Sequence, residues 1–503
     1  MDSASPIAIC IGLFISFLIT VAYVYCEWLF GYWKRKNVPH KKSTSLIYGS
    51  IGKLFKAEVS QGYFFKDIYD SFHGEPFVGF YEFQRPSLLL RDPEIVKKVL
   101  AENFNSFHKN GLYVNEKEDN FFNRNPFVLT GTRWKEARSK LTQTLTVNKL
   151  KFLPESISKI YPSMKTFLDE TEDNIEAYEF GTNITSGMAA SWSWGIEDSG
   201  FSKTKSYVRE IAQKFVDMFI GTTFSMQLIH INPWFAPLFK PSIVSHETGF
   251  FNDLTKKSLE MLISTGNNSS PCVLNSLRQT RLKSGQTDDE LMNNEVIEDL
   301  SGVVAAFYFD AYETTARAMS FLLYTLAQYP DVQRRLRDEV TKLPKEQLTL
   351  DEVQKMPYME MVFSEVLRLY PPATFLRKKC TQDCQLGGLK VEAGSHIIIP
   401  ILAMHKDADI YPEPEKFDPE RFSEENKNDR HPYAYIPFGS GPRMCPGMRF
   451  AISLIKVVIS LLLQDYEILP PKNEYFKPIT PSASGILLVP DAPLKLHIAK
   501  LKK

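Results

Sequence analysis

The sequence predicts a mainly α-helical protein with a small β-rich region towards its N-terminal side, tethered to a membrane by one N-terminal helix. Three stretches carry that reading. Pro6 to Tyr25 is an uncharged apolar run, enough for about 30 Å of helix, the thickness of a bilayer core. Asn294 to Tyr329, closed by Pro330, keeps a helical pattern over roughly 50 Å of rise. Phe77 to Phe83 and Ser87 to Leu90, split by Pro86, are rich in Phe, Val and Leu and read as two short strands.

At 503 residues the chain exceeds the usual size of one domain, yet no linker, repeat or low-complexity block interrupts it. The expected organisation is an anchor over 1–27, a basic, proline-containing linker over 28–45, and one large unit over 46–503. Trp28, Tyr32 and Trp33 follow the apolar run as an aromatic belt, then Lys34-Arg35-Lys36 and Lys41-Lys42. Basic residues after the run place the bulk of the chain in the cytosol, so the sequons at Asn183, Asn267 and Asn268 read as chance. With 59 basic and 59 acidic residues the net charge is zero, and no basic block speaks for nucleic acid. Six unevenly spaced cysteines do not make a disulfide framework. Cys380 and Cys384 have no second Cys or His pair nearby to complete a zinc site, and read as two unrelated thiols.

Between these landmarks, Asp92 to Leu100 reads as a helix opened by Asp92, and Asn103 to Asn125 as an aperiodic functional loop. Trp134 and Arg138 stand four apart on one helical face. Leu228 to Phe251, apolar but broken by Pro233, Pro237 and Pro241, reads as a surface that dips into lipid rather than as core. Within the long helix, Asp310-Ala311-Tyr312-Glu313-Thr314-Thr315 is a polar cluster, and such threonines can bond back to the carbonyl four residues earlier. Thr349-Leu350-Asp351-Glu352 is a capping box, followed by a helix over Tyr358 to Tyr370 that sets Glu365 and Arg368 three apart.

The chain's chemistry centres on Pro437-Phe438-Gly439-Ser440-Gly441-Pro442-Arg443-Met444-Cys445-Pro446-Gly447-Met448-Arg449-Phe450-Ala451. One cysteine lies in a Gly- and Pro-rich loop just before an apolar helical run, where the helix N-terminus favours a thiolate. Arg443 offers a donor fork for a carboxylate. These features suit an iron held by a single thiolate, with the cofactor's acid groups clamped nearby. The pattern Phe438, Gly441, Arg443, Cys445, Gly447 resembles the haem-binding loop of cytochromes P450. The other motifs follow in that family's order, and the wording is closest to the microsomal drug- and toxin-metabolising enzymes of animals, insects included.

That resemblance implies the cytochrome P450 fold, haem b ligated by Cys445, and Trp134, Arg138 and Arg377 donating to the haem propionates. It makes Glu313 and Thr314 the acid and alcohol that relay protons, and Glu365, Arg368 and Arg421 a buried network beneath the haem loop. It places Phe307, Asp310, Ala311, Ala373, Thr374 and Ser484, the last in the turn Ser482 to Ile486, around the substrate pocket. It implies a monooxygenase of small apolar or amine-containing molecules at the endoplasmic reticulum, fed by NADPH through a reductase, with cytochrome b5 as a further partner. A biosynthetic hydroxylase of an endogenous lipid, steroid or fatty acid is the alternative. An isomerase or a non-catalytic haem carrier would have no use for the acid–alcohol pair.

One position departs from the family pattern: Asp310 stands where most relatives have alanine. A buried carboxylate must be paired, protonated, or matched by a cationic substrate. Three roles are open to it: an anchor for protonated amines, a carboxyl hydrogen-bonded within the fold, or an ester to a haem methyl.

Overall fold

The structure is a computed structural model that describes residues 6–111, 122–171, 173–198, 200–201, 207–220, 248–344, 348–426, 429–483 and 485–502. Helix α1, Pro6–Phe30, stands clear of the rest, and its stretch Ile9–Phe30 is long and apolar enough to cross a membrane. Its Ile and Phe side chains from Ile7 to Ile19 are exposed, and lipid is the solvent that makes their exposure inexpensive, while Phe30 at its end packs on Tyr81.

The segment 28–45 is seated rather than loose. Trp28 is exposed, as a belt residue would be, but Trp33 is buried with its indole N–H on the Phe80 carbonyl at 3.0 Å. Gly79 makes the room: a Cβ there would meet the Trp33 ring at 2.5 Å. Two backbone bonds, Gly79 N–H to Pro39 and Lys41 N–H to Gly79, then tie the segment to the sheet. The anchor is thereby docked onto the domain, and Trp33 leaves the belt for the core.

That sheet has five strands: β1 Phe77–Glu82, β2 Arg85–Leu90, β3 Lys109–Asn110, β4 Leu376–Lys379 and β5 His396–Ile399, in the order β1-β2-β5-β4-β3. β1 and β2 form a hairpin closed at Phe83-Gln84, so Pro86 lies inside β2, opposite Tyr81, rather than between two strands. Its missing N–H costs no bond to β5, because that pairing starts at Ser87. Val78, Phe80, Leu89, Ile397 and Ile398 lose all their exposed surface in the core beneath.

The larger core is helical. α2 is Gly131–Thr144, α3 Ala177–Trp194, α4 Asn294–Gln328, α5 Pro357–Leu369 and α6 Met448–Asp465. α4 starts at the cap residue Asn293, whose side chain accepts the Glu295 N–H, and runs unbroken through the domain. α3 packs along it, and a Cβ on Gly181 would stand 3.0 Å from the Ala316 carbonyl, a close helix approach. Both halves of the capping box at Thr349 and Glu352 are formed. Asp92 caps a shorter helix than the sequence suggests, Pro93–Lys97, which passes into a wider π-turn over Lys98–Glu102.

Of Leu228 to Phe251, residues 228–247 lie outside the described residues. Its end belongs to the core: Phe251 is fully buried and stacks on Trp194. Asn183 is buried on α3, which closes that sequon to glycosylation. Cys380 and Cys384 are in contact, sulfur to sulfur at 4.0 Å, and both are reduced.

Candidate active site

Cys445 is placed by its own loop. Its N–H donates to the Phe438 carbonyl at 2.9 Å, and the N–H groups of Gly447 and Met448 point back at its sulfur from the start of α6. Gly441 (φ 73°) presses the loop against the π-turn; a Cβ there would sit 2.1 Å from the Leu100 carbonyl. The Phe438 ring is half-buried against the helical core. Burial pushes the thiol up to about 11; Gly447, Arg138 and Met448 oppose the shift, while Asp310 adds to it. A metal would have to displace that proton, and the converging N–H groups favour the thiolate that results.

Asp310 lies across from this sulfur on α4. Between Leu300 and Ala327 every residue is buried except Asp310, Ala311 and Thr314, which share one helical face. Asp310 keeps accessible surface although protein is packed densely around its carboxyl. The same holds for Cys445, and the two groups are near enough to interact, so they border a common cavity.

One rim of the site carries cations. Arg443 stacks over Trp134, 4.5 Å from its ring centroid, and donates to the carbonyls of Pro126, Phe127 and Leu129, while its buried Nε has no partner. Burial lowers the pKa of Arg443 to about 10, helped by the charge of Arg138. Lys378, also buried, donates to Asn110 at 2.8 Å; burial and then the charge of Arg443 bring it down to about 7. Among the described residues no carboxylate pairs with Arg138, Arg443 or Lys378. One buried and two half-buried cations, with an orphaned guanidinium N–H beside a thiol, fit a cofactor that carries both a metal and acid groups.

The structure does not bring Arg377 to this rim. Strand alternation turns Arg377 and Lys378 to opposite faces of β4. Arg377 grips Glu82 with both terminal nitrogens, at 2.6 and 2.7 Å, and His396 joins the cluster. Burial would raise the Glu82 carboxyl, but the charges and hydrogen bonds of Arg377 and His396 hold it well below the usual range. Lys378 is the residue the sequence reading missed, although the period-two rule at β4 could have found it.

Beneath the loop, Glu365 and Arg368 are fully buried in a bidentate pair at 2.7 and 2.8 Å. Arg368 also donates to the carbonyls of His405, Pro414 and Lys416. Glu365 accepts the Asp418 N–H, and Arg421 stands 3.5 Å from it. This is a sealed ionic network and not a surface pair. It pins the segment leading to Cys445.

Glu313 and Thr314 diverge. Glu313 is sealed between α4 and α3, where it accepts from Arg317 Nε at 2.8 Å and from the Tyr178 hydroxyl. Thr314 faces the cavity and donates to the Asp310 carbonyl at 2.7 Å, the back-bond its position suggests. Asn125, another residue the sequence reading did not single out, is buried and donates its amide to the Asp310 carboxyl. Burial nevertheless raises Asp310 to about 7.

The pocket residues divide too. Ala311 lines the cavity, and half-buried Ala373 bridges to Leu487. Phe307 is buried, its ring packed edge-on against Phe450, and Thr374 is buried against Gly62, so both serve the core. Ser484 lies outside the described residues.

Comparison with known proteins agrees with this geometry. The family model "Cytochrome P450" matches residues 48–498. The chain is 32% identical to cytochrome P450 6k1 of Blattella germanica over 94% of each chain. It is also 32% identical to cytochrome P450 9e2 of Blattella germanica, covering 89% of this chain and 90% of the other. Cytochrome P450 6a2 of Drosophila melanogaster is 32% identical, with 91% of this chain and 93% of the other covered. The chain belongs to the cytochrome P450 family, and with it to the haem b monooxygenases that draw electrons from NADPH through a reductase.

Proposed function

We propose that this cytochrome P450 oxidises small apolar organic molecules foreign to the cell, amines among them, at the cytosolic face of the endoplasmic reticulum. The observation that carries the reading is the Cys445 sulfur, set opposite the helix face on which Asp310, Ala311 and Thr314 alone keep accessible surface between Leu300 and Ala327. In this reading Cys445 ligates the iron, and Trp134, Arg138, Arg443 and Lys378 receive the haem propionates. Bound there, haem supplies the redox chemistry that activates dioxygen, and electron donation from the thiolate favours O–O cleavage.

The chain's own groups set the conditions. The dense packing of protein around Cys445 and Asp310 lowers the local polarity, which strengthens the charge interactions between them. The Thr314 hydroxyl commits its proton to the Asp310 carbonyl and leaves its lone pairs to hold a water in the cavity. An amine would find a carboxyl at Asp310, but it would compete with the bond from Asn125. α1 holds the domain at the membrane, where apolar substrates concentrate. Arg133, Lys135 and Arg449 are exposed around the loop and present an anionic reductase with a basic face.

The test is turnover in membranes reconstituted with reductase and NADPH, with a panel of neutral lipids, neutral xenobiotics and basic alkaloids read by mass. Oxidation of several unrelated xenobiotics supports the reading. Selective oxidation of one endogenous lipid would make the protein a biosynthetic hydroxylase instead.

A further inference from the structure

We propose that Asp310, oriented by Asn125, is the carboxyl that passes protons into the reaction space of this enzyme, and that Glu313 is a structural anion. The inference rests on the monooxygenase reading above and concerns which residue serves it.

The two carboxyls differ in what they touch. Glu313 is used up: one oxygen accepts from Arg317 Nε and the other from the Tyr178 hydroxyl, and the Arg317 guanidinium lies 3.7 Å over the Tyr178 ring. Its side chain is 5% exposed and faces α3, not the cavity. Both of its oxygens are thus engaged on the α3 side of the helix, away from Thr314 and the Cys445 sulfur. Asp310 sits one turn before Thr314 on the cavity face, and the two are joined through the back-bond from the Thr314 hydroxyl. Asn125 is 2% exposed; its Oδ1 accepts the Phe127 N–H at 2.7 Å, which turns its amide donor to Asp310. That donor can occupy only one carboxyl oxygen. The other is left to carry a proton and present it to the cavity.

The neighbours allow the proton to come and go. Cys445 lies across the cavity, Arg138 sits beside that thiol, and the Asn125 amide is neutral, so among the described residues no cation pairs with Asp310. Burial sets the carboxyl at about 7, where it can both release a proton and reload at cytosolic pH. Each turnover uses dioxygen, two electrons from NADPH and two protons; one oxygen atom enters the substrate and the other leaves as water. In each delivery the Asp310 O–H bond breaks, the proton moves through a water held at Thr314, and solvent water restores it.

The experiment compares full-length wild type, Asp310→Asn, Asn125→Ala and Glu313→Gln in reductase membranes. It reads product per NADPH, peroxide released, and the infrared carboxyl band of aspartate-labelled protein between pH 5.5 and 8.5. Asp310→Asn should lower product per NADPH at least tenfold, divert the electrons to peroxide, and delete a carboxyl band that titrates near neutrality. Asn125→Ala should keep that band, shift its midpoint upward, and uncouple in part. Glu313→Gln should yield less folded protein, with product per NADPH in the folded fraction falling no more than about threefold. Coupled turnover in Asp310→Asn, or an unchanged titrating band, would overturn the assignment while leaving the haem–thiolate reading intact. Wild-type protein lacking the thiolate-type carbon monoxide spectrum would overturn both.

Discussion

Two buried charge clusters flank the haem loop, and they are built on opposite plans. The Glu365, Arg368 and Arg421 cluster is closed: each charge meets an opposite charge or a backbone carbonyl inside the protein. The Arg138, Arg443 and Lys378 cluster is open: cations face one another, and the described residues supply carbonyls and an amide but no anion. Burying charge without a counter-charge is unfavourable, so a fold that keeps such a cluster keeps it for a ligand. The closed cluster holds the scaffold, and the open one receives the cofactor's acid groups.

Substitutions should therefore act with opposite signs. Glu365→Ala strands a fully buried guanidinium and should cost about 3–5 kcal/mol, abolishing haem-loaded protein. Haem content and melting temperature check this, and normal haem loading would contradict a closed network. Arg377→Met strands Glu82 in the same way and should cost about 3 kcal/mol, with Glu82→Gln restoring part of the loss when added. Because Arg377 and His396 depress the Glu82 pKa, its contribution is present above the ordinary carboxylate range and fades as pH falls through the depressed value.

His405 sharpens the contrast, since it joins the closed network to the loop. Its carbonyl takes Arg368, and its ring accepts the Ile436 N–H at 3.1 Å. Burial, then the Arg368 charge, lowers its pKa to about 3. The unfolded chain takes up this proton below about 6.5 and the folded one does not. Stability should thus fall by roughly 1.4 kcal/mol per pH unit from 6.5 downward. Chemical denaturation of His405→Gln should show a slope flatter by up to one proton. In the open cluster, Lys378→Met should stabilise haem-free protein by about 1 kcal/mol while weakening haem retention.

Much of this was legible in the residues alone. The Cys445 loop, the paired positions of Glu365 and Arg368, the long helix and the two short strands all follow from spacing and period, while the hairpin that joins those strands, with Pro86 inside the second, does not. What was not legible turns on single-residue orientation. Arg377 and Lys378 are adjacent on a strand, so one step decides which faces the cofactor rim and which faces Glu82. Glu313 and Thr314 are adjacent on a helix, where one residue is about 100° of rotation, enough to turn Glu313 from the cavity to α3. Asn125 and Tyr178, which settle the fate of the two carboxyls, come from distant segments and carry no local signal.

The most direct test of the open cluster is the rate of haem loss to excess apomyoglobin from wild type, Lys378→Met and Arg377→Met. Loss should be faster from Lys378→Met, by about tenfold, and near the wild-type rate from the folded fraction of Arg377→Met. Faster loss from Arg377→Met with no change in Lys378→Met would contradict it, and would return the propionate contact to the other face of the strand.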